Sequence, residues 1–315
     1  MAYLIEEKGV APYHIMAITF TNKAAGEMRE RIDSMIGMGS ESIWVSTFHS
    51  SCVRILRRFA DRLGYDNSFT IYDTDDSKTL MKDICKRLEI DTKMYKEKTF
   101  LNVISSAKNE LISPEEFAQN AIGDFNKTRQ AQVYREYQVR LKANNAMDFD
   151  DLIMKTVELL KFDTEVRNFY QEKFQYIMVD EYQDTNDVQE LIATLLSNGR
   201  NRFMVGDVKQ SIYRFRQADP TIFQKKYRHF SSDENAEDRR IDLNRNFRSD
   251  AAILASINYI FRQLMSEKLL ELDYGDREAL YPGRHEDPRP AAYAGGAVEV
   301  EFIDKVTDEN TVPMD

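Results

Sequence analysis

Cysteine and histidine are scarce in this chain of 315 residues, which has two cysteines and four histidines. Cys52 and Cys85 lie in helix-like stretches and have no CxxC partner, so we expect reduced packing residues. The histidines are scattered without the spacing of metal ligands. The sequence therefore excludes a disulfide-rich scaffold and a zinc-binding module.

Long apolar runs are absent as well. No run approaches the ~18 residues that a membrane span needs, and the N-terminus has no signal-peptide core. The string Gly-x-x-x-x-Gly-Lys-Ser/Thr, whose amides and lysine hold nucleotide phosphates, is also missing. These absences predict a cytoplasmic protein that does not enter a membrane and has no phosphate-binding loop in this sequence.

Acidic residues outnumber basic ones, with 53 Asp and Glu against 43 Lys and Arg and a formal net charge of -10. This charge argues against coating of nucleic acid through overall charge, but it is compatible with a local basic groove. The composition, 42% hydrophobic and 11% aromatic, is that of a globular chain. Its length fits about two domains, each with its own core.

Residues 176–179, Tyr-Ile-Met-Val, are followed directly by Asp180 and Glu181. The apolar run is too short and too β-branched for a helix and predicts a strand buried in a parallel sheet. Ligands of open α/β sheets bind beyond the carboxyl ends of the strands, where a magnesium nucleotide would be handled. One carboxylate can hold Mg²⁺ while its neighbour orients an attacking water. A helix cap is the alternative role for such an acid.

Other short apolar strands also lead into helix starts, near residues 14–21, 43–45 and 202–205. Thr21 or Asn22 is expected to cap the helix that follows the first of them, and Thr47 is placed to cap the next. Gly64 is expected to close that second helix. We expect helices over residues 22–36, up to about 63, and near 187–197.

Residues 69–142 are charged, helical in pattern and poor in glycine. Asp73 can cap one helix, and residues 113–116, Ser-Pro-Glu-Glu, form a capping box with proline at the first helical position. We predict an all-helical insertion between two strands of the sheet. Five of its basic residues can line duplex DNA or belong to a solvated helix face: Lys82, Lys86, Arg87, Lys108 and Arg129.

The string Asp-Glu-Tyr-Gln-Asp-Thr-Asn at residues 180–186 closely resembles the Walker B segment of the UvrD/PcrA/Rep helicases, which are superfamily 1 DNA motors. Four more segments, in family order, resemble motifs Ia, Ib, III and IV: residues 18–25, 46–50, 205–219 and 242–249. The resemblance covers nearly the whole chain. The first 200 residues look most like PcrA, and the later part looks closer to AddA, a helicase-nuclease subunit.

An ATP site is implied by this resemblance. Asp180 would bind Mg²⁺, Glu181 would act catalytically beside it through water, and Gln210 would sense the γ-phosphate. Phe247 would stack near the adenine, and the Arg248 guanidinium would neutralise charge that develops in phosphoryl transfer. As an alternative, residues 246–249 merely cap the helix expected over 250–265.

Contacts to single-stranded DNA are implied as well. Helix-start amides and short polar side chains suit a phosphate, and exposed rings suit a base. Tyr213 and Phe215, interleaved with Arg214 and Arg216, could also pack inward as an edge strand; Gln217 departs from the family's usual glycine. The residues implied in DNA binding are Thr19, Phe20, Asn22, Thr47, His49, Ser50, Tyr213, Phe215 and Arg216.

We therefore predict an α/β fold. It comprises a RecA-like P-loop NTPase motor domain with a parallel sheet, an all-helical insertion, and the start of a second α/β domain. The predicted boundaries are 1–68 and 143–240 for the first motor domain, 69–142 for the insertion and 241–315 for the second domain.

By the same resemblance, the parent protein is an ATP- and Mg²⁺-dependent helicase that moves 3′ to 5′. It would act on single-stranded DNA and single/double-strand junctions in repair, recombination or replication restart. Repair or recombination proteins are expected partners, including a nuclease-complex subunit on the AddA branch. The Walker A loop and the later arginine motifs are missing, and family order would put that loop just before Met1. We expect no ATPase or unwinding activity from this chain alone.

Two rival functions stay open at this point. The first is a non-catalytic fragment that binds single-stranded DNA or docks a partner without ATP. The second is a Mg²⁺-dependent nuclease that uses Asp148, Asp150 and Asp151 together with the acids at 180 and 181. We favour a helix start for the first three acids, because acids in the first turn complement the helix dipole and no nuclease signature is present.

Overall fold

The computed structural model describes residues 1–37, 39–91, 95–211, 218–266 and 274–283. The chain divides into two compact units, Met1–His229 and Phe230–Asp315. This division falls earlier in the chain than the boundary predicted between residues 240 and 241. The assignment of the segments to motor domains stays a prediction.

Short strands alternate with helices along the described chain. The strands are β1 (Ile15–Thr19), β2 (Trp44–Thr47), β3 (Thr70–Tyr72), β4 (Ala146–Asp148), β5 (Tyr176–Val179), β6 (Arg202–Met204), β7 (Arg245–Asn246) and β8 (Tyr281–Pro282). The α-helices are α1 (Ala2–Glu6), α2 (Asn22–Ile36), α3 (Phe48–Phe59), α4 (Thr74–Arg87), α5 (Glu97–Asn109), α6 (Pro114–Asn120), α7 (Phe125–Ala143), α8 (Phe149–Phe162), α9 (Thr164–Lys173), α10 (Asp187–Leu196), α11 (Pro220–His229) and α12 (Ala251–Leu264).

Four strands of the first unit form one sheet in the order β2-β1-β5-β6, and every neighbouring pair is parallel. All five residues of β1 are buried, as expected for a strand paired on both sides and covered on both faces. Because the strands are parallel, Thr19, Thr47, Val179 and Met204 end at the same edge of the sheet, called here the carboxyl edge. The predicted α/β class is confirmed.

Hydrophobic cores cover both faces of this sheet. Met16 and Ile18 of β1 join a large cluster with residues of α3, α8, α9 and α10. Ile15 and Ala17, which alternate with them, join a smaller cluster with residues of α1 and α2. The alternation of β1 between two cores follows from the two-residue period of a strand.

The predicted insertion has its own core, in which Met81, Phe100, Tyr134 and Leu141 are buried between α4, α5 and α7. It is not all-helical, because β3 at its start pairs in parallel with β4 beyond its end. A three-residue strand is too short to show a clear alternation, which is why the sequence pattern did not indicate it. The pair β3–β4 joins the two ends of the insertion to each other.

Several predicted helix boundaries are confirmed. The side chains of Thr21 and Thr47 accept hydrogen bonds from the backbone N–H groups three residues later and cap α2 and α3. Asp73 caps α4 in a capping box, and Gly64 ends the helical turn after α3 with a φ of 72°. Ser113 caps α6 by accepting from the backbone N–H of Glu116.

Cys52 and Cys85 are buried free thiols that belong to two different cores. Burial raises the pKa of the Cys52 thiol to about 12 and also raises that of Cys85. Within the described residues, no helix is long and apolar enough to cross a membrane.

In the second unit, β7 and β8 pair in parallel and α12 follows β7. The strand predicted near residues 298–303 lies outside the residues that the structure describes.

Candidate functional site at the carboxyl edge of the sheet

Asp180 and Glu181 directly follow β5 at the carboxyl edge. The Asp180 N–H still donates to the carbonyl of Ile18 at 3.0 Å, so the ladder with β1 continues to the first acid. Glu181 then adopts a φ of 51°, in the left-handed region that side chains other than glycine rarely occupy. Its N–H donates to Asp180 Oδ1 at 3.0 Å. The strand therefore ends in a strained turn that carries two consecutive carboxylates.

Thr19, the last residue of β1, holds the second acid. Its side chain is fully buried, and its hydroxyl donates to Glu181 Oε2 at 3.4 Å. Thr19 was predicted as a DNA contact, and the structure adds a contact to the acid pair that the sequence did not indicate. Its role in DNA binding stays a prediction.

Gln183 joins the acid pair to the loop after β6. Its side-chain Oε1 accepts a hydrogen bond from the Asp207 N–H at 3.0 Å, and its carbonyl accepts from the Ser211 hydroxyl at 3.3 Å. Gly206 permits this approach, because a Cβ there would lie 2.6 Å from Gln183 Oε1 and 3.1 Å from the Gln183 nitrogen. The Tyr182 N–H donates to the Val205 carbonyl at 2.8 Å, which makes the two segments continuous.

Gln210 lies at the end of this loop, in a short 3-10 helix over Val208–Gln210. Asp207 organises the helix: its carboxylate accepts from the Lys209 N–H at 3.1 Å and from Gln210 Nε2 at 3.1 Å, and it pairs with Lys209 Nζ at 3.0 Å. Through Asp207, these hydrogen bonds therefore connect the loop that carries the predicted γ-phosphate sensor with Gln183, which follows the predicted acids by two residues. Neither of these two bridging residues was singled out from the sequence as a positioning group.

Asp184 is a third acid of this segment, and it is 8% exposed. Its Oδ1 is buried without a hydrogen-bond partner. Burial, together with the negative charge of Glu181, raises the pKa of Asp184 to about 6. Asp180, Glu181 and Asp184 are called the Asp180 segment below.

A charged network anchors the segment to the neighbouring helices. Glu190 of α10 accepts from the Tyr182 hydroxyl and pairs with Arg202 Nη1 and Lys226 Nζ, each at 2.9 Å. Burial alone would raise the pKa of Glu190, but the bonds from Tyr182 and Lys226 and the charge of Arg202 lower it. The network is formed by residues from four elements, so no local sequence pattern could have indicated it.

The predicted DNA contacts at the start of α2 are Phe20 and Asn22. The Phe20 ring is half-buried and packs on Phe48, with 5.4 Å between ring centroids. Asn22 is exposed at the first position of α2, after the capping residue Thr21. Phe20 thus has a structural contact in addition to its predicted role.

The predicted DNA contacts at the start of α3 are Thr47, His49 and Ser50. Thr47 is buried and accepts from the Ser50 N–H at 3.2 Å, while the Ser50 side chain is exposed. His49 is half-buried, with its ring 6.2 Å from that of Phe149. Burial lowers the pKa of His49, although the charge of Asp150 opposes the shift. At neutral pH this histidine is therefore uncharged, which suits a hydrogen bond rather than an ion pair with phosphate.

Three predicted DNA contacts, Tyr213, Phe215 and Arg216, lie outside the described residues. Phe247 and Arg248 belong to the second unit. Phe247 is 61% exposed, and its ring packs so closely on Gly283 that a Cβ there would lie 2.6 Å from a ring carbon. Asn246 Oδ1 accepts from the N–H groups of Arg248 and Ser249, and the Arg248 side chain is exposed.

A second acidic group begins at Asp148, the last residue of β4, and the structure gives it a different environment. Asp148 and Asp151 form the capping box of α8. The fully buried Nζ of Lys108 lies 2.7 Å from Asp148 Oδ2 and 2.9 Å from Asp151 Oδ1, and the Tyr137 hydroxyl donates to Asp148 Oδ2 at 3.0 Å. Asp148, Asp150 and Asp151 are called the Asp148 segment below.

The helix start that we favoured for these acids is confirmed. Among the described residues, no group of three or more His, Cys, Asp or Glu side chains could hold a metal ion. Both alternatives for Lys108, duplex contact and solvated face, are wrong, because its side chain is buried in an ion cluster. The opposing helix that supplies it was not predictable from local spacing.

Sequence comparisons give the chain's relatives. The profile of the UvrD/REP helicase N-terminal domain matches residues 1–231. The chain is 46% identical over 294 residues to "ATP-dependent DNA helicase PcrA" of Bacillus subtilis (strain 168), a match that covers 91% of this chain and 39% of that protein. It is also 46% identical over 272 residues to the proteins of that name from Staphylococcus epidermidis (strain RP62A) and Staphylococcus aureus (strain Mu50), with 85% of this chain and 36% of each relative covered. The chain thus spans less than two fifths of the length of these relatives.

Proposed function

The chain belongs to the UvrD/REP helicase family, and from this premise we propose that it carries the acidic half of the ATP site and part of the DNA path of an ATP-dependent DNA helicase. The observation that carries the proposal is the pair of hydrogen bonds that join Gln183, two residues after Glu181, to Asp207 and Asp207 to Gln210. It joins the segment that follows the predicted catalytic acids to the predicted phosphate sensor at one edge of a parallel sheet, where ligands of α/β folds bind.

Mg²⁺ and ATP are the ligands that we propose for this site. Magnesium usually takes one or two protein carboxylates, with water and substrate phosphates completing its six ligands. Asp180 fits this requirement: one of its oxygens accepts from the Glu181 N–H, and the other accepts no hydrogen bond from a described residue. When bound, the ion would neutralise negative charge on the phosphates.

Glu181 is the general base that we propose for the attacking water. Thr19 fixes Oε2, which leaves Oε1 to receive the proton. Gln210 Nε2 would exchange its bond to Asp207 for one to the γ-phosphate. Phe247 and Arg248 would contact the adenine and the γ-phosphate, as the family resemblance implies.

The DNA path that we propose begins at the helix starts of α2 and α3. Asn22 and Ser50 are exposed there, beside helix-start N–H groups that suit phosphates. Tyr213, Phe215 and Arg216 would continue the path with stacking faces and a guanidinium. The substrate would be single-stranded DNA and single/double-strand junctions, traversed 3′ to 5′, in repair, recombination or replication restart.

Hydrolysis by this chain alone is not expected, because it contains no phosphate-binding loop sequence. ATPase assays of the purified chain, with and without single-stranded DNA, test this point. We expect no DNA-stimulated activity above that of Glu181→Gln. DNA-stimulated ATPase activity that is abolished by Glu181→Gln would contradict the expectation that the chain alone is inactive, but it would support Glu181 as the general base.

DNA binding tests the path itself. We expect the Asn22→Ala, His49→Ala double variant to bind a fluorescent single-stranded oligonucleotide at least about fivefold more weakly than wild type, which corresponds to about 1 kcal/mol. A matched control removes the same residue types elsewhere, in Asn120→Ala, His229→Ala, where both side chains are exposed.

Equal binding by both double variants would overturn the assigned path. Strong single-strand binding that Mg²⁺-ATP leaves unchanged would instead favour the rival function, a non-catalytic single-strand-binding fragment. Circular dichroism of all variants distinguishes lost contacts from lost structure.

A further inference from the structure

Three cations cluster on the outer side of α3 and α9. They are Arg54 and Arg58, which lie one turn apart on α3, and Lys173, the last residue of α9. Both arginines are exposed and the lysine is half-buried. We call these three residues the basic patch.

Aromatic rings hold the cations in place. Arg54 Cζ lies 3.9 Å and Lys173 Nζ 5.1 Å from the ring centroid of Trp44. Arg58 Cζ lies 4.4 Å from the ring centroid of Phe169. Such cation–π contacts restrain the side chains but leave the N–H edges of both guanidinium groups available to a ligand.

No acidic side chain among the described residues pairs with any member of the basic patch. The nearest acid in sequence, Glu172, is exposed. Burial, followed by repulsion from Arg54 and Arg58, lowers the pKa of Lys173. In a chain with a net charge of -10, three adjacent cations without a counter-ion are a concentration of positive charge that the fold itself does not neutralise.

The basic patch lies at the end of the sheet opposite the carboxyl edge. Trp44 is the first residue of β2, and Lys173 precedes β5, which begins at Tyr176. The acids at 180 and 181 follow the other end of β5. The basic patch is therefore separate from the proposed ATP site and from the helix starts of the proposed DNA path.

We propose that the basic patch binds the phosphate backbone of duplex DNA. This inference rests on the proposed function, since it assumes that DNA is the substrate. Trp44 is 4% exposed, so its ring cannot stack on bases, and recognition would depend on phosphate charge alone. Binding at the basic patch should therefore accept a fully paired duplex, whereas the carboxyl-edge path needs unstacked bases.

The test uses the purified 315-residue chain and a blunt, fluorescent DNA duplex in a titration of salt concentration. The patch variant is Arg54→Gln, Arg58→Gln, Lys173→Gln. The slope of log K against log salt is negative for duplex DNA, and each lost phosphate contact reduces its magnitude by about 0.9. We therefore expect the magnitude for the patch variant to be about 2 to 3 smaller than that for wild type. At low salt the affinity should fall at least about tenfold.

A matched control removes two arginines and one lysine from other exposed positions, as Arg31→Gln, Arg277→Gln, Lys161→Gln. Its net charge equals that of the patch variant, so a general charge effect would affect both equally. A conservative variant, Arg54→Lys, Arg58→Lys, keeps the charges and should retain most of the duplex binding. Circular dichroism and thermal unfolding verify that each variant is folded.

Equal slopes for the patch variant and its control would overturn the proposal. So would stronger competition by poly-glutamate than by an equal charge of unlabelled duplex, because the basic patch would then fit an acidic protein partner. The single-stranded DNA binding assay distinguishes this proposal from the proposed DNA path at the carboxyl edge. If Asn22→Ala, His49→Ala leaves single-strand binding unchanged while the patch variant loses duplex binding, the carboxyl-edge path fails and the basic patch stands.

Discussion

The Asp148 segment and the Asp180 segment both place three acids at or just beyond the end of a short parallel strand, yet their environments differ. In the Asp148 segment, Lys108 and a capping box satisfy the two buried carboxylates. In the Asp180 segment, Asp184 has a buried oxygen without a partner, and Glu181 has a strained backbone. One group of acids is satisfied inside the fold, and the other keeps unused hydrogen-bonding capacity.

The comparison shows that acid spacing by itself does not identify a site. A buried cation makes the difference, and Lys108 is contributed by α5, 40 residues before Asp148. Burying an ion pair stabilises the fold only when its remaining polar atoms are satisfied, as the Tyr137 hydroxyl and the capping box do here. Unsatisfied and strained groups, by contrast, are typical of ligand sites.

The largest effect should come from removing the cation of the Asp148 segment. Lys108→Met leaves two carboxylates buried without a counter-charge, and we expect the free energy of unfolding to fall by about 3 to 5 kcal/mol. Urea denaturation followed by circular dichroism measures the change. Lys82→Met, which removes an exposed lysine from α4, should change it by no more than about 0.5 kcal/mol.

A combined variant sharpens this prediction. The triple variant Lys108→Met, Asp148→Asn, Asp151→Asn also removes the charges of the two acids. It should recover a large part of the stability lost in Lys108→Met, because the penalty arises from unpaired charge. If Lys108→Met is as stable as Lys82→Met, the ion cluster is not the reason that this segment differs from the Asp180 segment.

The next effect in size tests the close approach of Gly206 to Gln183, beside the Asp180 segment. In Gly206→Ala the new Cβ meets Gln183 Oε1 at 2.6 Å, and overpacking of this kind typically lowers stability by about 1 to 3 kcal/mol. The loss should be smaller in a Gln183→Ala background, and a double-mutant cycle measures that coupling.

Gly26→Ala is the matched control, since a Cβ at Gly26 meets nothing within 4 Å and the residue lies inside α2. This substitution should stabilise the chain by roughly 0.5 to 1 kcal/mol. Equal effects of Gly206→Ala with and without Gln183 would show that the two residues do not constrain each other.

The sequence predicted the elements that depend on local chemistry. The apolar run before Asp180 predicted β5, and the caps at Thr21, Thr47 and Asp73 set the starts of α2, α3 and α4. These predictions succeeded because a strand's burial pattern and a cap's hydrogen bond involve residues within a few positions of one another.

Contacts between distant segments were not predictable in the same way. The Glu190 network, the Gln183–Asp207 bond and the pairing of β3 with β4 join residues far apart in the chain. Gly206 was one signal that could have been used, because a glycine just after a strand often marks a close backbone approach. Lys108 gave no such signal, since a lysine on a helix is usually solvated.

Two individual acids, Asp184 and Asp148, should respond to pH with opposite sign, whereas burial raises the pKa of Asp151 to about 6, in the same direction as that of Asp184. The folded-state pKa of Asp184 is about 6, above the ordinary value of 3.8, so its stabilising contribution is complete below pH 3.8 and is lost as pH rises through 6. Relative to Asp184→Asn, the wild type should therefore lose stability between about pH 4 and 6 and stay constant above.

Asp148 should show the reverse behaviour. Burial alone would raise its pKa, but Lys108 lowers it, so its contribution is present above pH 3.8 and is lost at lower pH. Urea denaturation of wild type, Asp184→Asn and Asp148→Asn at several pH values measures both slopes. Slopes of the same sign would contradict the opposite pKa shifts of Asp184 and Asp148.

The smallest expected effect concerns the strained backbone at Glu181. An L-residue in the left-handed conformation costs about 1 to 2 kcal/mol, a penalty that glycine avoids. Glu181→Gly loses only the 3.4 Å bond from Thr19 and some chain entropy, so stability should stay the same or rise by up to about 1 kcal/mol. Thermal and urea unfolding measure the change.

Glu30→Gly provides the same substitution at an exposed position inside α2, where glycine should cost about 1 kcal/mol. The difference between the two variants isolates the strain, because both remove a glutamate side chain and add the same freedom to the unfolded chain. Equal losses of stability in Glu181→Gly and Glu30→Gly would mean that the backbone turn after β5 is not strained. A stabilised Glu181→Gly variant would show that the chain keeps a glutamate there against its own stability, as expected of a residue retained for chemistry.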